Sequence, residues 1–178
     1  GRNPHDQLKP GTSASIIRNH VREGLDLAKE VGLPATLRAF IREHHGTASI
    51  AYFLERERAR EGFVSDPGEY AYPGPIPQSR ETAVVMLADG VEAAARRLTD
   101  PTPERIREVI DRVVEERFAE GQLRDAPLTL RQISVIKRSS RVCWAGCITP
   151  VPSTRRRSRR ASPRRYESYG ARGNGRST

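Results

Sequence analysis

The residues best suited to chemistry are His20, the adjacent pair His44-His45, and Asp89; they include three of the chain's four histidines. Imidazole nitrogen together with carboxylate oxygen is a donor set for Mn, Fe, Co or Zn. Neighbouring positions on a helix point about 100° apart. His44 and His45 can therefore serve one site only where the backbone turns away, and Gly46 directly after them permits that turn. His20 lies on the apolar face of a first helix, one turn from Ile16 and Ile17. Asp89 lies in the most apolar helix of the chain, on a face shared with Val85, Met86 and Ala93. A carboxylate desolvated there needs a cation, which Arg96 or a metal ion could supply. Each residue also has a plainer reading. A single His on a helix face is more often a hydrogen-bonded core residue than a ligand. A single Asp can bond a backbone group or an Arg. His44-His45 at a helix C-terminus would gain about 0.3–1 kcal/mol as cations against the dipole.

Helices must position these side chains. After a lead-in broken by Pro4 and Pro10, Thr12 or Ser13 can cap a helix whose apolar positions recur at helical spacing up to Glu30, with Gly32 closing it. Pro34 opens a second helix whose inner face is Leu37, Phe40, Ile41 and His44. Thr47 can cap a third, through Ile50, Phe53 and Leu54 into the charged run ERERARE. Residues 62–78 hold four prolines and three glycines, a surface loop long enough to be functional rather than idle. Ser79 caps a helix from Arg80 to about Leu98 that is apolar nearly all round and belongs in the middle of a bundle. Thr102-Pro103-Glu104 starts another, and Thr129 to Gln132 resembles a capping box that opens the last. No segment reads as a strand, so the fold class is all-α. His5-Asp6, inside the proline-bounded lead-in, reads as a turn or cap rather than as ligands.

The chain has 178 residues, 36% hydrophobic and 30% charged, which is enough for one domain with a core. No apolar run is long enough to span a membrane, and no signal peptide is present. The chain starts at Gly1 without Met, as a piece of something longer would. Cys143 and Cys147 do not suggest a disulfide framework. The net charge of +9 invites a nucleic-acid reading, but from Arg138 onward there are eleven arginines and one acidic residue, Glu167. Residues 1–137 carry 20 basic and 21 acidic groups, so the basicity belongs to the tail. The run RRRSRRASPRR has no periodicity and no apolar face, a composition that predicts disorder.

Two strings resemble a known family: NPHDQLKPGTSASIIRNHVREGLDLAKEVGLPATLRAFIREHHGT, and YPGPIPQSRETAVVMLADGVEAAARRLTDPTPERI. Over about residues 1–137 they are similar to the C-terminal part of the cytoplasmic HD domain of the 7TM-HD family, bacterial membrane proteins that hydrolyse cyclic di-AMP to pApA. The resemblance implies an HD-domain phosphohydrolase helical bundle, here N-terminally truncated, with a two-metal site of iron or manganese. The family's ligand pattern is His…His-Asp…His…His-His…Asp. Carried over, His20 is the third His, His44 and His45 are the pair, and Asp89 is the last Asp. Ser79 and Arg80 fall in the region that faces the nucleotide. The first His and the His-Asp dyad have no counterparts in this chain. The resemblance therefore implies metal-assisted hydrolysis of cyclic di-AMP in the intact protein, at the cytoplasmic face of the inner membrane, and a soluble cytoplasmic fragment that is inactive or nearly so.

The expected division is a partial HD domain over 1–138 and a disordered Arg-rich tail over 139–178. The stretch SSRVCWAGCITPVPST departs from the family's ending, which codons in another frame would restore; a frameshift near Ser139 accounts for the arginines as DNA read out of register. The competing reading is a structural helical module whose basic tail binds nucleic acid without sequence preference, in a salt-dependent way. Nothing in the sequence specifies a particular nucleic acid.

Overall fold

In the computed structural model, which describes residues 4–148, the chain forms six α-helices: α1 (Pro10–Glu30), α2 (Ala35–Glu43), α3 (Ala51–Glu61), α4 (Arg80–Ala95), α5 (Pro103–Ala119) and α6 (Leu130–Ile148). Two short 3₁₀ turns, Pro4–Gln7 and Pro67–Tyr70, complete the regular structure. The all-α expectation holds: among the described residues the extended pairing is limited to an isolated bridge between Ser49 and Ala71.

Three of the helix starts follow their sequence signals. Ser79 and Thr82 form a reciprocal capping box at α4. The Thr102 hydroxyl accepts from Arg105 N–H with Pro103 in the first turn of α5. Thr129 and Gln132 exchange backbone-to-side-chain bonds of 2.9 and 3.2 Å at α6. Two starts differ. α1 begins at Pro10 with Lys9 before it and no side-chain cap, so neither Thr12 nor Ser13 has that role. Proline has no N–H to satisfy and its φ is already helical, so the first turn needs no donor partner there. α3 begins only at Ala51, because the Thr47 backbone and hydroxyl are engaged by Gln122, 75 positions away.

The helices pack as two groups, α1–α2–α3 and α4–α5–α6, joined where α2 lies on α4. The first group closes over Ala14, Phe53 and Tyr70. The second has two cores, one of Met86, Leu87, Val114 and Leu123, the other of Val91, Ile106, Val109, Ile110 and Val113. α4 lies between α2 and α5, as its composition suggests, but it is not covered all round. Its buried positions include Ala83, Met86, Leu87, Val91 and Ala95, whereas Val84 and Val85 are exposed. Leu37, expected on the inner face of α2, is also exposed, as is Ile16 on α1.

α6 runs past the expected boundary at 138. It continues through Ser139 and Ser140 to Ile148. One amine of Arg141 sits 2.9 Å from both carboxylate oxygens of Asp111 on α5, and Lys137 Nζ, one turn earlier, lies 3.1 Å from Oδ1. Trp144 packs against the α4–α5 core. These tertiary contacts hold the last turns of α6 against α5 and the α4–α5 core. The rest of the expected tail, 149–178, lies outside the described residues. None of the described helices is long and apolar enough to cross a membrane.

Candidate metal centre

α2 ends at Glu43, and His44 keeps helical angles as its C-cap. Gly46 then takes φ +54°, the left-handed region that reverses the chain. That reversal places the His44 and His45 rings side by side, with centroids 3.9 Å apart and planes 39° apart. His20, midway along α1, meets both: its ring lies 5.6 Å from His44 and 5.0 Å from His45. One nitrogen from each of His20, His44 and His45 lies within 4.8 Å of the others.

Hydrogen bonds fix which nitrogen faces inward. His44 Nδ1 lies 2.8 Å from the Ile41 carbonyl and 3.1 Å from that of Phe40. His20 Nδ1 meets the Ile17 carbonyl. Carbonyl oxygens only accept, so both rings carry their proton on Nδ1 and present the Nε2 lone pair. His20 Nε2 faces His45 Nε2 at 3.2 Å. Two lone pairs at that distance repel unless a proton or a cation lies between them. Two nitrogens bound at about 2.1 Å to one ion, at angles from right to tetrahedral, stand about 3.0–3.4 Å apart. The donor set therefore fits a divalent cation.

The fourth candidate, Asp89, meets the histidines through His45. Its side chain is 41% exposed, and its Oδ2 lies 3.4 Å from Nδ1 of His45. It is not one of the three clustered donors, but its carboxylate is close enough to interact with His44 and His20. Its face of α4 is open because Val85 and Ala93 are exposed. Arg96 does not pair with it; its guanidinium meets Glu92. His20 is likewise more exposed than an apolar-face position implies.

Burial pushes the His45 imidazole down to about 3, reinforced by His44, His20 and Arg117. The ring is neutral at physiological pH, the form a ligand requires. Burial also raises the Asp89 carboxyl, against the pull of His44. Tyr72 stacks on His45 at 4.1 Å and 22°, and burial together with Asp89 pushes its phenol up to about 12. Beyond His45 and Asp89 opens a cavity of about 300 Å³, lined among others by Tyr52, Tyr72, Arg97 and Arg117.

Ser79 and Arg80 are not brought to the histidines. Ser79 is occupied as the α4 cap, and Arg80 Nε donates to the Pro127 carbonyl at 2.8 Å. Nine or ten positions of helix, about 14 Å of rise, separate them from Asp89. His5 belongs to the 3₁₀ turn at Pro4–Gln7, where its ring lies 5.7 Å from Phe53.

Four positions around the site were not singled out from sequence. Tyr72 comes from the proline-rich loop, which the Ser49–Ala71 bridge pulls onto the His44–Ile50 turn. Arg117 projects from α5 and pairs with Glu120 at 2.6 Å. Glu43 and Gln122 are buried polar residues, 2% and 3% exposed. Glu43 did carry a signal: an acidic residue in the last turn of a helix opposes the dipole and needs a reason. Gln122 carried none.

Comparison with known proteins places this geometry. Curated relatives include the cyclic-di-AMP phosphodiesterase PgpH of Listeria monocytogenes, 36% identical over 137 residues, covering 77% of this chain and 19% of that protein. PgpH of Bacillus subtilis is 33% identical over 137 residues, with the same coverage. An uncharacterized protein of Synechocystis is 43% identical over 142 residues, covering 76% of this chain and 17% of that protein. The chain thus spans about a fifth of the length of these relatives. The crystal structure of the L. monocytogenes PgpH HD domain superposes with a TM-score of 0.77 at 35% identity, covering 83% of this chain and 68% of that one. The same domain in complex with cyclic-di-AMP gives 0.79 at 34% identity, covering 83% and 69%. The HD domain family matches residues 1–94, the stretch that holds all four histidines and Asp89. With that match and the shared bundle, the chain belongs to the HD domain family.

Proposed function

We propose that this chain is part of a metal-dependent phosphodiesterase acting on cyclic di-AMP, with His20, His44 and His45 holding a divalent ion, manganese or iron, and Asp89 supplying negative charge beside it. The observation that carries the reading is the approach of His20 Nε2 to His45 Nε2 at 3.2 Å with His44 alongside. The substrate follows from the PgpH relatives and from the PgpH HD domain in complex with cyclic-di-AMP. A divalent ion supplies Lewis acidity, activating water and neutralising charge that builds on phosphoryl oxygens. The chain's own residues orient and exclude. The Ile17, Phe40 and Ile41 carbonyls hold two imidazoles in the ligating tautomer. Tyr72 covers one face of His45 and remains protonated. Arg97 and Arg117 bring positive charge to the adjoining cavity, whose size suits part of a dinucleotide.

Three imidazoles and one carboxylate are a ligand set for one ion rather than two. We therefore expect the 178 residues alone to turn cyclic di-AMP over poorly, with full activity needing the further His and His-Asp ligands of the family pattern. In the full-length protein we place the domain at the cytoplasmic face of the membrane. The test is turnover of cyclic di-AMP by this chain with added Mn²⁺. Release of pApA no faster than the Mn²⁺ blank is expected. Brisk hydrolysis abolished by His44→Ala would show instead that these residues suffice.

A further inference from the structure

We propose that Gln122 and Glu43 are positioning residues, polar clasps that grip the His44–Thr47 turn from two sides and set the His44 and His45 imidazoles before any ion binds. The inference rests on the metal-centre reading above. Gln122 follows α5, remote in sequence from the histidines, yet it is almost fully buried directly beneath their turn. Its Oε1 accepts from Thr47 N–H at 3.0 Å, and its Nε2 donates to the Thr47 hydroxyl at 3.0 Å. A Cβ on Gly46 would stand 2.4 Å from that same Oε1 and 2.7 Å from Met86 Cε. Only glycine lets the turn sit this close to its clasp.

Glu43 holds the other end. Its Oε2 accepts from the Gln78 N–H at 3.0 Å and from the Thr82 hydroxyl at 2.9 Å, and its Oε1 from Arg42 at 2.9 Å. Thr82 is itself half of the α4 capping box. The last residue of α2 is thus bolted to the first turn of α4, and the two histidines follow immediately. Buried polar pairs add little net stability compared with apolar groups of the same shape, but they impose direction. Apolar packing would let the turn slide; two sets of hydrogen bonds do not.

The test uses the full chain with Co²⁺ as the probe. Gln122→Met keeps side-chain length and removes both polar atoms. Thr47→Val removes the hydroxyl, and Thr47→Ser retains it. Ile110→Ala is a control that loosens the core away from the turn. Co²⁺ affinity is expected to fall about ten- to a hundred-fold in Gln122→Met, the range for partners that orient ligands. Thr47→Val should weaken it in the same direction, Thr47→Ser should bind within about twofold of the parent, and Ile110→Ala should lose thermal stability without losing affinity. Side-chain ¹H–¹⁵N spectra of the metal-free histidines give an independent reading: sharp single His44 and His45 signals in the parent, broadened or doubled signals in Gln122→Met. Unchanged affinity in Gln122→Met, an equal loss in Ile110→Ala, or identical histidine spectra in parent and Gln122→Met each overturn the proposal. Absence of Co²⁺ binding by the parent chain overturns the metal-centre reading instead, and the metal-free spectra then decide the clasp.

Discussion

Gly46→Ala tests the packing of the histidine turn. Gly46 has φ +54°, and an added Cβ would meet Gln122 Oε1 at 2.4 Å and Met86 Cε at 2.7 Å. An L-residue in the left-handed region costs about 1–2 kcal/mol. Met86 and Gln122 are both buried, so neither can step aside freely. Overpacking a filled site costs about 1–3 kcal/mol. Moving Gln122 also loosens its bonds to Thr47, worth about 0.5–1.5 kcal/mol each. The total is about 3–8 kcal/mol. Gly32 supplies the reference: its φ is +71°, yet an added Cβ meets nothing within 4 Å. Gly32→Ala should therefore cost only the backbone share, about 1–2 kcal/mol. Urea unfolding of the two variants and the parent, followed by far-ultraviolet circular dichroism, isolates the close approach as their difference, expected at about 2–6 kcal/mol. Equal destabilisation by the two substitutions would refute the tight seating of the turn on Gln122 and Met86.

The remaining predictions concern pH and the Glu43 clasp. Metal-free His45 titrates at about 3 when folded and near its ordinary 6.5 when unfolded. Between those values the unfolded chain binds more protons, so stability is fully present above about pH 6.5 and declines as pH falls toward 3. Glu43 and Asp111 act in the same direction at lower pH. Against the opposing pull of burial, Arg42, Gln78 and Thr82 hold Glu43 low, and Lys137 and Arg141 hold Asp111 low. Asp89, raised by burial, opposes the trend. Denaturant midpoints of the metal-free chain should fall from about pH 7 to pH 5, and less steeply in His45→Gln; equal slopes contradict the assignment to His45. Thr82→Val keeps shape but leaves the Glu43 carboxylate without one donor, at an expected cost of about 1–3 kcal/mol in urea unfolding. A neutral effect would mean that the carboxylate finds another partner.

Much of the fold was legible because local signals and tertiary packing agree. Ser79, Thr102 and Thr129 each cap the helix they were expected to start. Gly32 and Gly62 take positive φ just beyond α1 and α3, as chain-reversing glycines do. The misread starts share a cause. Thr47 has capping chemistry, but a glutamine distant in sequence claims it first. α6 overruns its expected end because Asp111 on α5 collects Lys137 and Arg141. Periodicity marks which residues are apolar but not which faces are covered, so α4, apolar nearly all round, still leaves Val84 and Val85 exposed.

The site divides in the same way. The convergence of His20 with His44-His45 was foreseen, because helical register and a following glycine constrain it. That Asp89 meets Nδ1 of His45 depends on how α2 lies across α4, which no motif announces. Tyr72, Arg117 and Gln122 reach the site by tertiary contact, with no motif to announce them. Ser79 and Arg80 enter only through the family resemblance, as residues facing the nucleotide, and about 14 Å of helix separates them from Asp89.

X-ray absorption at the zinc edge of the full chain loaded with Zn²⁺ reads the coordination directly. If His20, His44 and His45 converge through Nε2 on one ion, the first shell contains three imidazole nitrogens at about 2.0–2.1 Å, and His20→Ala reduces them to two. A shell of oxygen alone, or one imidazole per ion unaltered by His20→Ala, would contradict that convergence.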